Sequence, residues 1–219
     1  MSFHAPPEPG PDCDLCPRLV AFRDRNRESF PHFFNAPVPA FGGSDAEVLI
    51  VGLAPGLKGA NQTGRPFTGD FAGDLLYPTL VKVGLAEGDY GARPDDGLVL
   101  RNCRVTNAVR CVPPDNKPTT AEIKTCRQAF LEAELAALPY LRHVVALGRI
   151  AHETVLAAFG YVRAHYPFGH GLKYDLPNGC SLTDSYHCSR YNVNTGRLTT
   201  PMFEVVLQRV ADRLQPNAA

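Results

Sequence analysis

The chain has 219 residues, of which 44% are hydrophobic, and this is enough apolar material for one substantial core. Its 22 basic and 22 acidic residues cancel, which excludes a uniformly basic nucleic-acid coat but leaves room for a local basic face. No stretch approaches the roughly 20 apolar residues of a membrane span, and the start lacks the apolar centre of a signal peptide. We therefore expect a cytoplasmic protein with reduced thiols and no membrane association.

In chain order, the predicted helices alternate with predicted strands. Residues 1–12 are rich in proline and are expected to form a flexible arm, and a helix is expected from Cys16 to Arg27. Four apolar runs are typical of buried strands: AEVLIVG, CRVTNAV, RHVVALG and CSLTDSYH. Helical spacing follows in TGDFAGDLLYPTLVKVG, TTAEIKTCRQAFLEAELAAL, RIAHETVLAAF and TTPMFEVVLQRVADRL. The pattern predicts an α/β fold in which residues 13–219 form one domain around a parallel sheet.

Ligands of such sheets bind beyond the carboxyl ends of the strands, here after Val51, Val105, Leu147 and Tyr186. The first of these loops, GLAPGLKGANQTGRPFTGD, is glycine-rich but is neither a P-loop nor a dinucleotide fingerprint.

Phe67 in that loop and Asp74 in the helix after it each allow a functional interpretation as well as a structural one. Phe67 is either a core plug or a stacking platform for a flat ligand. Thr68 is expected to cap the following helix. Asp74 lies about one turn into that helix, as a solvated carboxylate or a functional one.

Two later loops carry polar groups that suit a base-binding pocket. Asn107 lies late in an apolar strand, where a buried amide must find partners. His187 ends the fourth strand, either as a structural histidine or as a site residue. Ser189, Arg190 and Tyr191 follow in a loop that could enter a nucleic-acid stack.

Four cysteines form a C-x2-C…C-x14-C set: Cys13, Cys16, Cys111 and Cys126. Four thiolates suit either a tetrahedral zinc ion or a [4Fe–4S] cluster, and the wide second pair favours the cluster. The alternative is that the thiols are unrelated and partly buried. A metal here would tie the N-terminal segment to the middle of the chain, which is a structural role.

The whole chain resembles the iron–sulfur uracil-DNA glycosylases, most closely family five, or type B. The resemblance rests on the cysteine set and on GLAPG…TGRPFTGD, TNAVRCVPP and SYHCSRYNVNTGRLT, which occur in the expected order. Family four has an acidic residue at the position of Leu53. The usual histidine motif has prolines where this chain has Cys188 and Arg190, so the loop is expected to be either more mobile or supported differently.

The resemblance implies a three-layer α/β/α sandwich with a short central parallel sheet, an N-terminal segment bound to a [4Fe–4S] cluster, and removal of uracil from DNA. Phe67 would stack on the flipped base, Asn107 would read its edge, and His187 would contact a carbonyl oxygen. Asp74 would act with His187 in catalysis. Further base-binding positions would be Gly52, Ala54 and Ser189, and the residues penetrating the duplex would be Arg190 and Tyr191.

The expected partner is uracil-containing DNA, double- or single-stranded, bound by a monomer associated with the nucleoid. The cations expected near the DNA are Lys58, Arg65, Arg110, Lys117, Arg190 and Arg197. Two rival functions are a lesion-binding protein without activity and an iron–sulfur redox protein.

Overall fold

A five-stranded sheet forms the middle layer of the protein, whose computed structural model describes residues 6–214. The strands are β1 (Val48–Gly52), β2 (Ala86–Glu87), β3 (Val99–Leu100), β4 (Cys103–Asn107), β5 (His143–Leu147), β6 (Lys173–Asp175) and β7 (Ser181–Ser185). The sheet order is β4-β1-β5-β7-β6, and its first four strands are parallel, as predicted. The short antiparallel edge strand β6 and the separate β2–β3 hairpin were not predicted.

The helices are α1 (Pro17–Ser29), α2 (Ala60–Thr63), α3 (Phe71–Lys82), α4 (Thr120–Cys126), α5 (Glu132–Ala137), α6 (Arg149–Ala158), α7 (Arg190–Asn194) and α8 (Thr200–Ala211). A capping box between Thr119 and Glu122 opens α4. The sequence predicted one helix from α4 through α5, but a π-helical turn at Arg127–Leu131 interrupts it. Within residues 6–214, no helix is both long and apolar enough to cross a membrane.

Separate apolar cores cover the two faces of the sheet, because its strands are buried on both sides. On one face, α3 and α8 pack against Ile50 of β1, for example through Leu76 and Phe203. On the other face, α6 and the segment around α5 pack against Leu49 and neighbouring strand residues. This arrangement is the expected three-layer α/β/α sandwich.

The segment before α1 is attached to the body, at least from residue 6 onward. Glu8 accepts hydrogen bonds from Arg104 Nη2 (2.9 Å) and Arg110 Nη1 (3.1 Å). Glu134, which is fully buried, binds the same two arginines at 2.7 and 2.6 Å. One carboxylate would leave a net positive charge in this buried cluster, and Glu8 supplies the second negative charge.

The contacts of Glu8 and Glu134 affect two predictions, that of a flexible N-terminal arm and that of a DNA contact by Arg110. The flexible arm expected at residues 1–12 is docked over residues 6–12, while residues 1–5 lie outside the described residues. The expectation that Arg110 contacts DNA is wrong, because its side chain is 1% exposed and paired with two carboxylates.

Candidate active site and cysteine site

The carboxyl ends of β1, β4 and β7 lead into a recess of about 250 Å³ at one edge of the sheet. Its wall includes the Phe67 ring, the Asn107 side chain and the His187 imidazole, so the structure brings together the three groups expected to hold a base. The recess is completed by Ala54, Pro55, Gly56, Ala60, Asp70 and Ala72.

Gly52 lies behind this recess, next to the Asn107 and Phe67 side chains that line it. It is the register partner of Asn107 between β1 and β4. A β-carbon at Gly52 would collide with both Asn107 Oδ1 and the Phe67 ring. The absence of a side chain therefore lets the amide and the ring approach each other, whereas Ala54 forms part of the wall itself.

The Phe67 ring faces His187 from a strained backbone position. The two ring centroids are 5.8 Å apart and the planes are inclined by 28°. Phe67 has φ +52°, a left-handed conformation that a bulky residue rarely adopts and that costs roughly 1–3 kcal/mol. Such a conformation persists only where the surroundings hold it, so the contacts of the loop matter.

An arginine inside an aromatic cage anchors the Phe67 loop. Arg65 binds Asp96 through two hydrogen bonds of 2.7 Å each, and its Nε donates to Thr68 Oγ1 at 2.8 Å. Its guanidinium carbon lies between 5.0 and 5.8 Å from the ring centroids of Phe41, Tyr77 and Tyr90. The expectation that Arg65 contacts DNA is therefore wrong, because its side chain is buried and its charge is paired.

The two tyrosines of the cage also fix the backbone next to the Phe67 ring. The Tyr77 hydroxyl donates to the Pro66 carbonyl, and the Tyr90 hydroxyl lies 3.3 Å from the Phe67 carbonyl. These bonds, together with the Arg65–Thr68 bond, explain how the left-handed backbone at Phe67 is maintained.

His187 presents a neutral imidazole to the recess. Burial lowers its pKa to about 4, so the ring is uncharged at neutral pH. Asn192 Nδ2 donates to the His187 carbonyl at 2.8 Å and fixes the backbone. Among residues 6–214, the ring nitrogens have no hydrogen-bond partner, so they are available to a ligand.

The carboxylate that reaches the recess is Asp70. It is the N-cap of α3, where Oδ1 accepts from the Ala72 amide at 3.1 Å, and burial raises its pKa. Asp74, the expected catalytic carboxylate, is exposed on α3 and does not line the recess. The predicted cap, Thr68, instead donates its hydroxyl to the Pro66 carbonyl at 3.1 Å. Aspartate has a strong preference for the N-cap position, and this sequence signal could have identified Asp70 as the cap of α3.

The segment after His187 leads into a short helix, α7, which agrees with the alternative that this loop is supported differently in the absence of the prolines. Ser189 caps α7 by accepting from the Asn192 amide, and Cys188 is fully buried in the core. Arg190 lies 5.5 Å above the Phe71 ring, and Tyr191 is 72% exposed. Core packing and the cap hold this segment without proline.

The four expected cysteines border one second recess, of about 340 Å³: Cys13, Cys16, Cys111 and Cys126. Its walls are largely apolar, and the Arg110 amide donates to Cys126 Sγ at 3.4 Å. Burial raises the pKa of Cys111 to about 12 and that of Cys126 to about 11, so thiolates here need a compensating cation. Within residues 6–214, no group of three or more His, Cys, Asp or Glu side chains has the geometry to hold a single metal ion.

Comparison with known proteins agrees with this geometry. The family model for the uracil DNA glycosylase superfamily matches residues 39–211. A type-5 uracil-DNA glycosylase of Thermus thermophilus is 49% identical over 200 residues, covering 89% of this chain and 90% of that protein.

Two further type-5 uracil-DNA glycosylases are similar over nearly the same span. The protein of Mycobacterium leprae is 42% identical, covering 90% of this chain and 89% of its own length. That of Pyrobaculum aerophilum is 40% identical, covering 91% and 88%. The chain therefore belongs to the uracil DNA glycosylase superfamily and, within it, to the type-5 branch.

Proposed function

We propose that this protein is a monofunctional uracil-DNA glycosylase that hydrolyses the N-glycosidic bond of deoxyuridine in DNA and leaves an abasic site. The observation that carries the proposal is the convergence of Phe67, Asn107 and His187 on one small recess. The recess suits a single flat base, and a base can reach it only after leaving the duplex stack.

Recognition would use the ring and the amide. Phe67 provides a flat apolar surface for stacking, and such contacts are worth about 1–3 kcal/mol per base. The Asn107 side chain offers one acceptor and two donors, which matches the mixed donor and acceptor edge of uracil. Ala54 closes the recess without adding a polar group.

Bond cleavage would depend on stabilising the leaving group. The bonding electrons pass to uracil, whose carbonyl oxygen gains negative charge while the sugar becomes cationic. The neutral imidazole of His187 would donate a hydrogen bond to that oxygen, since its low pKa keeps one ring nitrogen protonated and the other free. A fixed donor of this kind stabilises charge without having to reorganise.

Asp70 would supply the negative charge on the sugar side. It lines the base recess and also the neighbouring groove, so it borders the place where the sugar would lie. Its carboxylate would stabilise the sugar cation and orient the attacking water, whose oxygen bonds to the sugar carbon. The water keeps one proton as the new hydroxyl group and releases the other, which balances the negative charge of the departing uracil. This assignment replaces Asp74, which lies outside the recess.

The four cysteines would hold a [4Fe–4S] cluster. The recess between them is lined largely by apolar side chains, and the Arg110 amide supplies a hydrogen bond to a ligand sulfur. When bound, the cluster would act as a cross-link. Cys13 and Cys16 at the start of α1 would thereby be fixed to Cys111 and Cys126, close to the end of β4 and Asn107.

The substrate would be DNA, gripped by the loops around the recess. Tyr191, which is exposed at the start of α7, and its neighbour Arg190 would enter the space vacated by a flipped base. We expect a monomer in the cytoplasm, acting at the nucleoid on double- or single-stranded DNA.

The test is uracil release from a labelled duplex with one uracil, followed by alkali, which breaks the strand at an abasic site. We expect breakage with the wild type and a single-turnover rate about 10²-fold lower for His187→Ala. His165→Ala, which changes an exposed histidine, is the matched control and should retain the wild-type rate. Binding without breakage would instead identify a lesion-binding protein.

A further inference from the structure

The imidazole of His187 faces the base recess without a hydrogen bond to its ring from within residues 6–214. Its direction therefore depends on the Phe67 ring beside it and on the backbone that carries it. On one side of this backbone, Asn192 Nδ2 binds the His187 carbonyl. On the other side lies Tyr186, which is held by a residue that the proposed function does not use, His170.

Tyr186 lies just beyond the end of the sheet. The register between β5 and β7 ends at the pair Leu147 and Ser185, so the Tyr186 amide lies outside the strand ladder. This amide donates to His170 Nδ1 at 3.1 Å, and the Ser185 hydroxyl donates to the Tyr186 carbonyl at 2.9 Å. Both peptide groups of Tyr186 are thus fixed, and the second of them leads directly into His187.

The contact with Tyr186 determines which nitrogen of His170 carries the proton. A backbone amide can only donate, so Nδ1 must be the unprotonated nitrogen and Nε2 the protonated one. Partial burial lowers the pKa of His170, which favours this neutral ring at pH 7. The imidazole also stacks on the Tyr186 ring, with centroids 5.1 Å apart and planes inclined by 18°. His170 therefore holds Tyr186 both through an acceptor atom and through its flat face.

The segment that carries His170 is itself anchored by a buried pair. His152 of α6 has an acceptor at each ring nitrogen, namely Asp184 Oδ1 at 2.7 Å and the Tyr166 carbonyl at 2.8 Å. Burial opposes a charge on His152, but the Asp184 carboxylate raises its pKa. The Gly169 amide donates to Asp184 Oδ2 at 3.2 Å. Two points of the backbone just before His170 are thus tied to α6 and β7, so its acceptor atom is held in place.

We propose that His170 is a positioning residue for uracil release, whose Nδ1 holds the Tyr186 backbone and thereby directs the His187 imidazole at the base recess. The inference rests on the proposed function and adds a residue that does not itself line the recess. Misplacement of a reacting group by about 1 Å can cost on the order of 10²-fold in rate. Loss of the acceptor should therefore slow bond cleavage and leave DNA binding intact.

The test uses two substitutions that separate the acceptor from the ring. His170→Phe keeps a ring against Tyr186 without the acceptor, whereas His170→Asn keeps an acceptor close to the position of Nδ1 without the ring. We expect His170→Phe to lower single-turnover uracil release from a labelled duplex by about 10-fold, and His170→Asn to retain most of the rate. Affinity for a duplex with a tetrahydrofuran abasic analogue should not change in either variant. His165→Phe makes the same change at an exposed histidine and should keep the wild-type rate.

A combined variant tests whether His170 acts through His187. In a His187→Ala background, His170→Phe should cause no further loss, because the group that it positions is gone. The proposal is overturned if His170→Phe has the wild-type rate, if His165→Phe or His170→Asn is equally slow, or if the loss is as large in the His187→Ala background.

Nitrogen NMR of the wild type provides a readout that does not require activity. The His170 ring should be neutral, with its proton on Nε2, and a proton on Nδ1 would overturn the proposal because the Tyr186 amide would then have no acceptor there. The proposed function fails differently, since a wild type that releases no uracil would contradict it whatever the state of the His170 ring.

Discussion

Arg65 and Asp96 form an ion pair with two nitrogen–oxygen distances of 2.7 Å, and both side chains are at most 5% exposed. The two residues are 31 positions apart, and the pair joins the Phe67 loop to the hairpin segment before β3. The recess thus depends on a buried charge pair that lies outside it.

Removing one partner of this pair should destabilise the protein strongly. Asp96→Asn leaves the Arg65 cation buried and without a counter-charge, for which a loss of about 3–5 kcal/mol is usual. Urea unfolding at pH 7 gives the free energy, and Asp95→Asn, which changes an exposed neighbour, is the control. Equal stability of the two variants would show that the pair contributes nothing.

The same pair predicts a pH dependence. The Arg65 guanidinium holds the pKa of Asp96 well below its usual value near 3.9. The stabilisation is therefore complete above about pH 4 and is lost as pH falls toward the folded-state pKa. The stability difference between wild type and Asp96→Asn should narrow in acid, and a constant difference down to about pH 2 would contradict this.

Phe67 combines backbone strain with a role in stacking, and two substitutions separate them. Both Phe67→Ala and Phe67→Gly remove the ring, so both should lower single-turnover uracil release by roughly 5- to 150-fold, equivalent to about 1–3 kcal/mol. Glycine adopts positive φ freely, so Phe67→Gly should be the more stable of the two in thermal unfolding. An alanine variant with normal activity would exclude stacking.

The cysteine recess makes a prediction that does not require activity. Purified without oxygen, the protein should contain roughly four iron and four sulfide per chain, and Cys126→Ser should lose them and melt at a lower temperature. Cys180→Ser changes a buried cysteine in the core on the α6 face of the sheet, away from the cysteine recess, and this variant should keep the iron. Stoichiometric zinc in place of iron would overturn the cluster assignment.

The sequence predicted the parallel strands well because both faces of the sheet are buried, and continuous apolar runs such as VLIVG are typical of strands in that environment. Since parallel strands end at the same edge, Asn107 and His187 could be expected near each other. The two-residue strands β2 and β3 carry too little pattern to be recognised.

Features that depend on contacts between residues far apart in the sequence could not be predicted from local sequence patterns. Arg65 and Arg110 look like surface cations until Asp96 and Glu134 are placed beside them. Glu8 lies 102 positions from Arg110, so its contact could not be inferred from local pattern, and the docked segment was mistaken for a loose arm. Asp70 and Asp74 differ by one helical turn, and only the exact start of α3 decides which one faces the recess.

That difference yields the most direct test of the active site. Asp70→Asn keeps a capping side chain, so α3 should remain stable, while the loss of negative charge should reduce single-turnover uracil release by about 10²-fold. Asp74→Asn removes the same charge from an exposed position one turn away and should leave the rate unchanged. Because burial raises the pKa of Asp70, the wild-type rate should also begin to fall at a higher pH than an ordinary aspartate would cause. If Asp74→Asn is the slower variant, the catalytic carboxylate is the one first expected from the sequence, and the sugar side of the site lies further along α3 than the recess indicates.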